Sequence, residues 1–352
     1  MHWDLFCRVI DNFGDIGVCW RLAADLGARG QSVRLWIDDP SALAWMAPAG
    51  AAGVEVLAWT VGTPVPEPGE VVVEAFGCDP PPAFVVRMAR RAQPPLWINL
   101  EYLSAEPYVQ RSHGLRSPQL SGPGQGLNKW FYYPGFEAGT GGLIREPGLM
   151  DQRQRFHGGA WLQQQGLTPQ SDERVVSLFC YPSAPVGSLL AALAAQPTLL
   201  LVTPGAASQA LQSALSRQPA PTQLRCIALP WLTQTDYDRL LWACDLNFVR
   251  GEDSFVRAQW AGAPFVWQIY PQHDAAHAAK LEAFADLMLQ GARLELAQSV
   301  RKLWRGWNGL HGGPLVLPQA QAWQELALRW RDRLLGQADL ASQLLGFAAE
   351  RR

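Results

Sequence analysis

Short, compact apolar runs recur along the chain and alternate with stretches whose apolar residues follow helical spacing. Few folds satisfy that pattern. Strands that are apolar along their whole length are buried on both faces, and the helices between them are the crossovers that keep successive strands parallel. The first half carries "LFCRVI" (5–10), "VRLWID" (33–38), "VVVEAF" (71–76) and "LWINLEYL" (96–103). A second series starts with "RVVSLFCY" near residue 174 and continues through "TLLLVTP" (198–204), "LRCIALP" (224–230), "DLNFVRG" (245–251) and "APFVWQI" (263–269). The 352 residues are too many for one ordinary core, so two α/β domains in tandem are expected, with ligand sites at the carboxyl ends of their strands.

Residues 104–150 break the rhythm, being rich in Gly, Pro, Ser and aromatics. Trp130, Phe131, Tyr132, Tyr133 and Phe136 need burial there, so long ordered loops are expected in place of a disordered linker. The C-terminal stretch "QAWQELALRWRDRLLGQADLASQLLGFAAE" is helical by its spacing, with Gly336 as the expected interruption.

Charge then narrows the partners. With 29 basic against 31 acidic residues the net charge is -2, which gives no general field for nucleic acid or an anionic membrane surface. No apolar stretch approaches the roughly 18 residues of a membrane span, and "MHWDLFCRVI" shows no secretory pattern. Cys7, Cys19, Cys78, Cys180, Cys226 and Cys244 are scattered and form no C-x-x-C pair, as expected of reduced core residues in a cytoplasmic protein. His273 and His277 stand at i and i+4 without a third ligand, so packing or surface roles are expected for them, and no metal site.

Two stretches carry chemistry. In "DNFGDIGVCW" (11–20), Asp11 and Asp15 flank a glycine turn between the first strand and a helix. Such turns often cradle phosphate, but two carboxylates repel it, so this turn either serves something cationic or is structural, its aspartates acting as helix N-caps. No G-x-G-x-x-G follows the first strand, which argues against a nicotinamide-dependent oxidoreductase. In "FVRGEDSFVRAQWAGAPFVWQ" (248–268) a buried strand breaks at Gly251 and a helix begins near Asp253 or Ser254. Backbone N–H groups at that helix start could accept a diphosphate, Arg250 and Arg257 could add charge, and Glu252 could hydrogen-bond sugar hydroxyls. The plainer alternative is that Asp253 or Ser254 only caps the helix while Glu252 favours its positive end. Phe179, Tyr181, Gln234 and Tyr237 stand near the ends of two other strands, either as core or as a base and sugar pocket.

Together "FCRVIDNFGDIGVCWRLA", "NLEYLSAEPYVQRSHGLRSPQ" (99–119), "GTGGLIRE" (139–146) and "FVRGEDSFVRAQWAGAPFVWQIYPQHDAAHAAKL" (248–281) resemble, in order over nearly the whole chain, the bacterial protein-arginine rhamnosyltransferases that modify translation elongation factor P. Arg116 departs from that pattern, where proline is expected. The resemblance implies a GT-B fold: two Rossmann-like domains facing a central cleft. Residues 1–172 would form the acceptor-binding domain and 173–335 the nucleotide-sugar domain, with a C-terminal helix in 336–352 packing back on the first. It implies inverting transfer of L-rhamnose from dTDP-β-L-rhamnose to an arginine, with no metal and no cofactor. Asp15 would match the general base and Asp11 its companion, both on the acceptor side. Phe179, Tyr181, Gln234, Tyr237, Arg250, Glu252, Asp253 and Ser254 would bind the donor, with Glu252 the acid of greatest consequence. A non-catalytic nucleotide-sugar or protein-binding module of the same fold is the alternative. "GTGGLIRE" reads equally as a flexible turn or an acceptor-side loop.

Overall fold

The computed structural model describes the chain except residues 12, 61, 63, 64, 272–275 and 352. His273, and with it the His273/His277 spacing, lies outside the described residues. The chain divides into two compact units, Met1–Pro147 with Leu334–Arg352, and Gly148–Arg333.

The first unit runs β1 (His2–Cys7), α1 (Gly14–Ala28), β2 (Ser32–Ile37), α2 (Leu43–Met46), β3 (Val54–Ala58), β4 (Val71–Ala75), α3 (Pro82–Arg90), β5 (Leu96–Leu100), α4 (Tyr108–Ser112), β6 (Arg116–Pro118) and β7 (Asn128–Tyr132). Its seven-stranded sheet has the order β3-β2-β1-β4-β5-β7-β6, parallel except where β6 pairs antiparallel with β7. The order reverses direction between β1 and β4, and ligands of such sheets bind at the carboxyl ends of strands beside that point. All five residues of β4 and of β5 are buried, Glu74 and Asn99 being the polar members of otherwise apolar runs. One face packs Ile16, Cys19, Leu22 and Leu26 of α1; the other packs Phe6, Trp36, Phe84, Met88 and Trp97. Asp4, buried in β1, is neutralised by Arg34 through bonds of 2.7 and 2.8 Å and accepts further bonds from Trp36 Nε1 and the Gly69 N–H.

The second unit runs α5 (Leu149–Arg155), α6 (Gly158–Gln164), β8 (Arg174–Leu178), α7 (Val186–Leu193), β9 (Thr198–Val202), α8 (Ala206–Arg217), β10 (Leu224–Ala228), α9 (Gln234–Ala243), β11 (Leu246–Arg250), α10 (Asp253–Ala261), β12 (Phe265–Gln268), α11 (Ala276–Met288), α12 (Leu294–Trp307) and most of α13 (Ala320–Leu335). The sheet order is β10-β9-β8-β11-β12, parallel throughout, with its reversal between β8 and β11. Trp161 and Leu162 of α6 join Leu199, Leu201 and Leu240 in its core. Gly158 sits where an added Cβ would lie 3.0 Å from the Ala243 Cα, so α6 packs closely on α9. These contacts draw α6 into the second unit, and the units part at Pro147/Gly148, upstream of the 172/173 boundary read from the sequence.

The chain returns to the first unit at Leu334, and Gly336 lies between α13 and α14 (Leu340–Glu350). Leu340, Ala341, Leu344 and Ala348 of α14 enter the core beside α1. Asp339 caps α14 by accepting from the Ser342 N–H, and Arg29 ties Asp25, Asp339 and Ser342 together. The "GTGGLIRE" segment is the seat of this return. Leu143 C=O accepts from the Leu340 N–H at 2.9 Å, and Arg145 donates to the carbonyls of Leu335 and Gln337. Gly142 has φ +71°, and a Cβ there would lie 2.4 Å from the Ala338 carbonyl. Arg116 is accommodated on the edge strand β6, opposite Trp130. Among the described residues no helix is long and apolar enough to cross a membrane, and the six cysteines are free, five buried and Cys226 half-buried.

Candidate active site

In the first unit the chemistry gathers after β1. Asp15 is the second residue of α1 and only 3% exposed. Its Oδ2 turns back to accept from the N–H groups of Ile10 and Asp11, both at 2.8 Å. Its Oδ1 faces the Tyr102 hydroxyl at 3.4 Å. Burial raises the Asp15 pKa, with a smaller push from the negative charge of Asp38, while the hydrogen bonds pull it down. Asp11 lies directly against Gly14, where a Cβ would meet its Oδ2 at 2.8 Å, so the glycine makes room for a carboxylate beside the helix start. Neither aspartate is the N-cap: Phe13 holds that position, with no side-chain cap bond. The reading of both as simple caps is therefore corrected.

In the second unit Phe179 and Tyr181 follow β8, and Arg250 ends the neighbouring β11. The Arg250 guanidinium carbon lies 4.5 Å from each of the two ring centroids, with Nη1 donating to the Cys180 carbonyl. A planar cation between two rings fixes all three side chains. Gly251, at φ +64°, turns the chain into α10, where Glu252 is the N-cap position without a side-chain cap bond. Ser254 does not cap the helix; its hydroxyl accepts from the Arg250 N–H and donates to the Arg250 C=O, closing the turn. Asp253 accepts from Gln234 Nε2 at 3.2 Å. Tyr237 meets Phe179 edge to face at 5.7 Å; its buried hydroxyl makes no hydrogen bond of good geometry, and burial raises its pKa. Thus all eight donor-side residues read from the sequence belong to one unit, around the reversal between β8 and β11 and the start of α9.

Arg257 does not join them. Its guanidinium is buried and bonded to both oxygens of Asp238, at 2.9 and 2.7 Å, linking α10 to α9. Its expected charge at the anion site is corrected to a structural pair. Among the described residues no group of three or more His, Cys, Asp and Glu side chains is arranged to hold a metal ion.

The sequence profile of the family described as "Elongation-Factor P (EF-P) rhamnosyltransferase EarP" matches residues 3–349. The chain belongs to the EarP family. The protein-arginine rhamnosyltransferase of Pseudomonas aeruginosa is 43% identical over 375 residues, 99% of each chain. That of Neisseria meningitidis serogroup B is 36% identical over 380 residues, covering 98% of this chain and 96% of the relative. A solved structure described as the structural basis for EarP-mediated arginine glycosylation of translation elongation factor EF-P has a TM-score of 0.67 at 33% identity, with 100% of this chain and 99% of that chain covered. The calicheamicin glycosyltransferase CalG4 shares the fold alone, with a TM-score of 0.54 at 16% identity over 99% of this chain and 98% of its own. The fold class is the α/β architecture of GT-B glycosyltransferases, and this EarP-family chain is an enzyme of that class.

One residue of this candidate site escaped the sequence reading. Tyr102, after β5, reaches Asp15 across 87 positions of sequence, and its ring stacks on Phe76 at 4.2 Å and 11°. "NLEYL" held the only available signal, an aromatic just past the end of a buried strand. His113, by contrast, is packed: burial lowers its pKa and its Nδ1 accepts from the Tyr133 N–H.

Proposed function

We propose that this chain transfers L-rhamnose from dTDP-β-L-rhamnose to an arginine side chain of translation elongation factor P, in one inverting step and without a metal ion. Membership of the EarP family supports the activity. The observation that carries the mechanism is the buried, hydrogen-bonded Asp15 at the strand-order reversal of the first unit.

A guanidinium is a permanent cation, with a pKa above roughly 12. Asp11 and Asp15 supply attraction and orientation for it. No aspartate deprotonates a free guanidinium in its ground state, so the proton leaves as the C–N bond forms and that nitrogen becomes acidic. Asp15 receives it, and a pKa raised by burial makes Asp15 a better acceptor than an ordinary carboxylate.

Phe179, Tyr181, Gln234 and Tyr237 receive the base and sugar, the aromatic rings among them held by Arg250 and by each other. Glu252 accepts from sugar hydroxyls. As the bond from the anomeric carbon to diphosphate breaks, negative charge grows on the leaving oxygen. The start of α10, Gly251 to Ser254, and Arg250 oppose that charge. In-line attack opposite the leaving group converts the β-linked donor into an α-linked rhamnosyl arginine.

Intact-mass analysis of elongation factor P after incubation with this protein and dTDP-β-L-rhamnose tests the proposal. A gain of one deoxyhexose on arginine is expected, unchanged by a chelator, and no gain refutes it. The anomeric configuration of the product, read by NMR, tests inversion.

A further inference from the structure

Asp15 is held on one side by the chain's own amides, both on Oδ2, and on the other by a side chain from a different loop, Tyr102, on Oδ1. Tyr102 is itself held. Its ring lies nearly parallel to Phe76 at 4.2 Å. Phe76 stands one residue past β4 with φ +59°, a left-handed conformation costly for a bulky side chain. The Phe76 N–H still donates to the Leu100 carbonyl at 2.7 Å, extending the β4–β5 pairing one step. The carboxyl end of the β4–β5 pair thus clamps an unfavourable backbone, and what that backbone presents is the ring on which Tyr102 rests. Core packing does not account for the pair, because Tyr102 is 38% exposed.

We propose that Tyr102 is a positioning residue for Asp15: its hydroxyl, steadied by the Phe76 ring, fixes the carboxylate plane so that Oδ1 is presented to the acceptor guanidinium. The inference rests on the general-base reading of Asp15. An O–H donor on a carboxylate favours the ionised form and restricts rotation about the Cβ–Cγ bond. Among the described residues, the other titratable groups that bear on Asp15 are Asp38 after β2 and Cys19 one turn along α1, and the Asp11 carboxylate lies beside Gly14 on the same loop. Asp38 raises the Asp15 pKa, so Tyr102 works against it.

Tyr102→Phe keeps the ring and removes only the hydroxyl. The expected result is an unchanged melt and donor affinity and a roughly tenfold fall in kcat, the scale of one hydrogen bond. Acceptor KM should change little, and the acidic limb of the pH–rate profile should move to higher pH. In an Asp15→Asn background, where residual transfer is followed by long-incubation mass spectrometry, the same substitution should have no further effect. An unchanged rate and limb in Tyr102→Phe, with Asp15→Asn still severely slowed, overturns the positioning role while leaving Asp15 as the base. An equal proportional loss in both backgrounds also overturns it, because Tyr102 would then act elsewhere. Near-wild-type transfer by Asp15→Asn sinks the general-base reading itself, and this inference with it.

Discussion

At Asp15, ground-state order and chemical competence are set by the same atoms. Two amides on Oδ2 hold the carboxylate still, while burial makes it more basic. Asp15→Asn keeps one oxygen for the amides and removes charge and basicity. It should fold normally and bind donor as the native chain does, while transfer falls by roughly 100-fold or more. Initial rates, melts and calorimetry on one preparation separate this from a capping role, which would leave turnover near normal. Asp11→Asn should impair transfer mainly through acceptor affinity. Because Asp15 must be ionised to take a proton and burial raises its pKa, activity should decline with falling pH through a value above that of an ordinary aspartate. A pH–rate profile whose acidic limb sits at the usual aspartate value contradicts this. On the donor side, Glu252→Ala should weaken dTDP-rhamnose binding in calorimetry and nearly abolish transfer; unchanged affinity would reject its role. The aspartates were legible because two acids around a glycine turn are chemically conspicuous. Tyr102 and the fate of Arg257 were not, since each depends on a partner on another element.

At the scale of elements, Arg257 and Asp238 show how charge inside a stretch read from the sequence as an anion site can be structural. The pair joins α10 to α9 and both side chains are buried. Arg257→Ala should leave Asp238 buried without its partner and cost about 3–5 kcal/mol of stability, read by denaturant titration. Arg257→Met with Asp238→Leu should recover most of that loss, and donor affinity of the folded double variant should stay near the native value. A collapse of donor affinity without loss of stability would instead put Arg257 at the phosphate. The strands that the sequence concealed follow a similar logic. β3 is an edge strand with Glu55, Val56 and Ala58 exposed, so its apolar pattern is diluted. β6 and β7 lie inside the Gly/Pro-rich segment 104–150, where β6 spans only Arg116–Pro118 and the turn residues around β7 mask its period. The central strands of both sheets were legible because burial on two faces makes them predominantly apolar, the few buried polar side chains being paired, as Asp4 is with Arg34.

For the whole molecule, the return of the C-terminus to the first unit couples remote sequence to the acceptor side. The residues proposed to bind the donor all lie within Gly148–Arg333, whereas α14 belongs to the unit holding Asp15. Leu340 and Leu344 are wholly buried there, and burying a leucine is worth about 1.5–3 kcal/mol. Two of them make about 3–6 kcal/mol, against a total stability of roughly 5–15 kcal/mol for an ordinary domain. Removal of residues 337–352 also strips Asp339 and Ser342 from Arg29, leaving a half-buried guanidinium with Asp25 alone. The truncated chain should therefore lose the first unit's cooperative unfolding transition, or show it at much lower temperature, while the second unit's transition persists. Calorimetric titration with dTDP-rhamnose should give near-native affinity, and transfer to elongation factor P should be lost. Gly142→Ala is the milder version: its Cβ would strike the Ala338 carbonyl in a backbone conformation only glycine favours, so it should lower the same transition selectively. Loss of donor binding in parallel with transfer, in either variant, would mean that the two units do not divide the labour as their residues suggest.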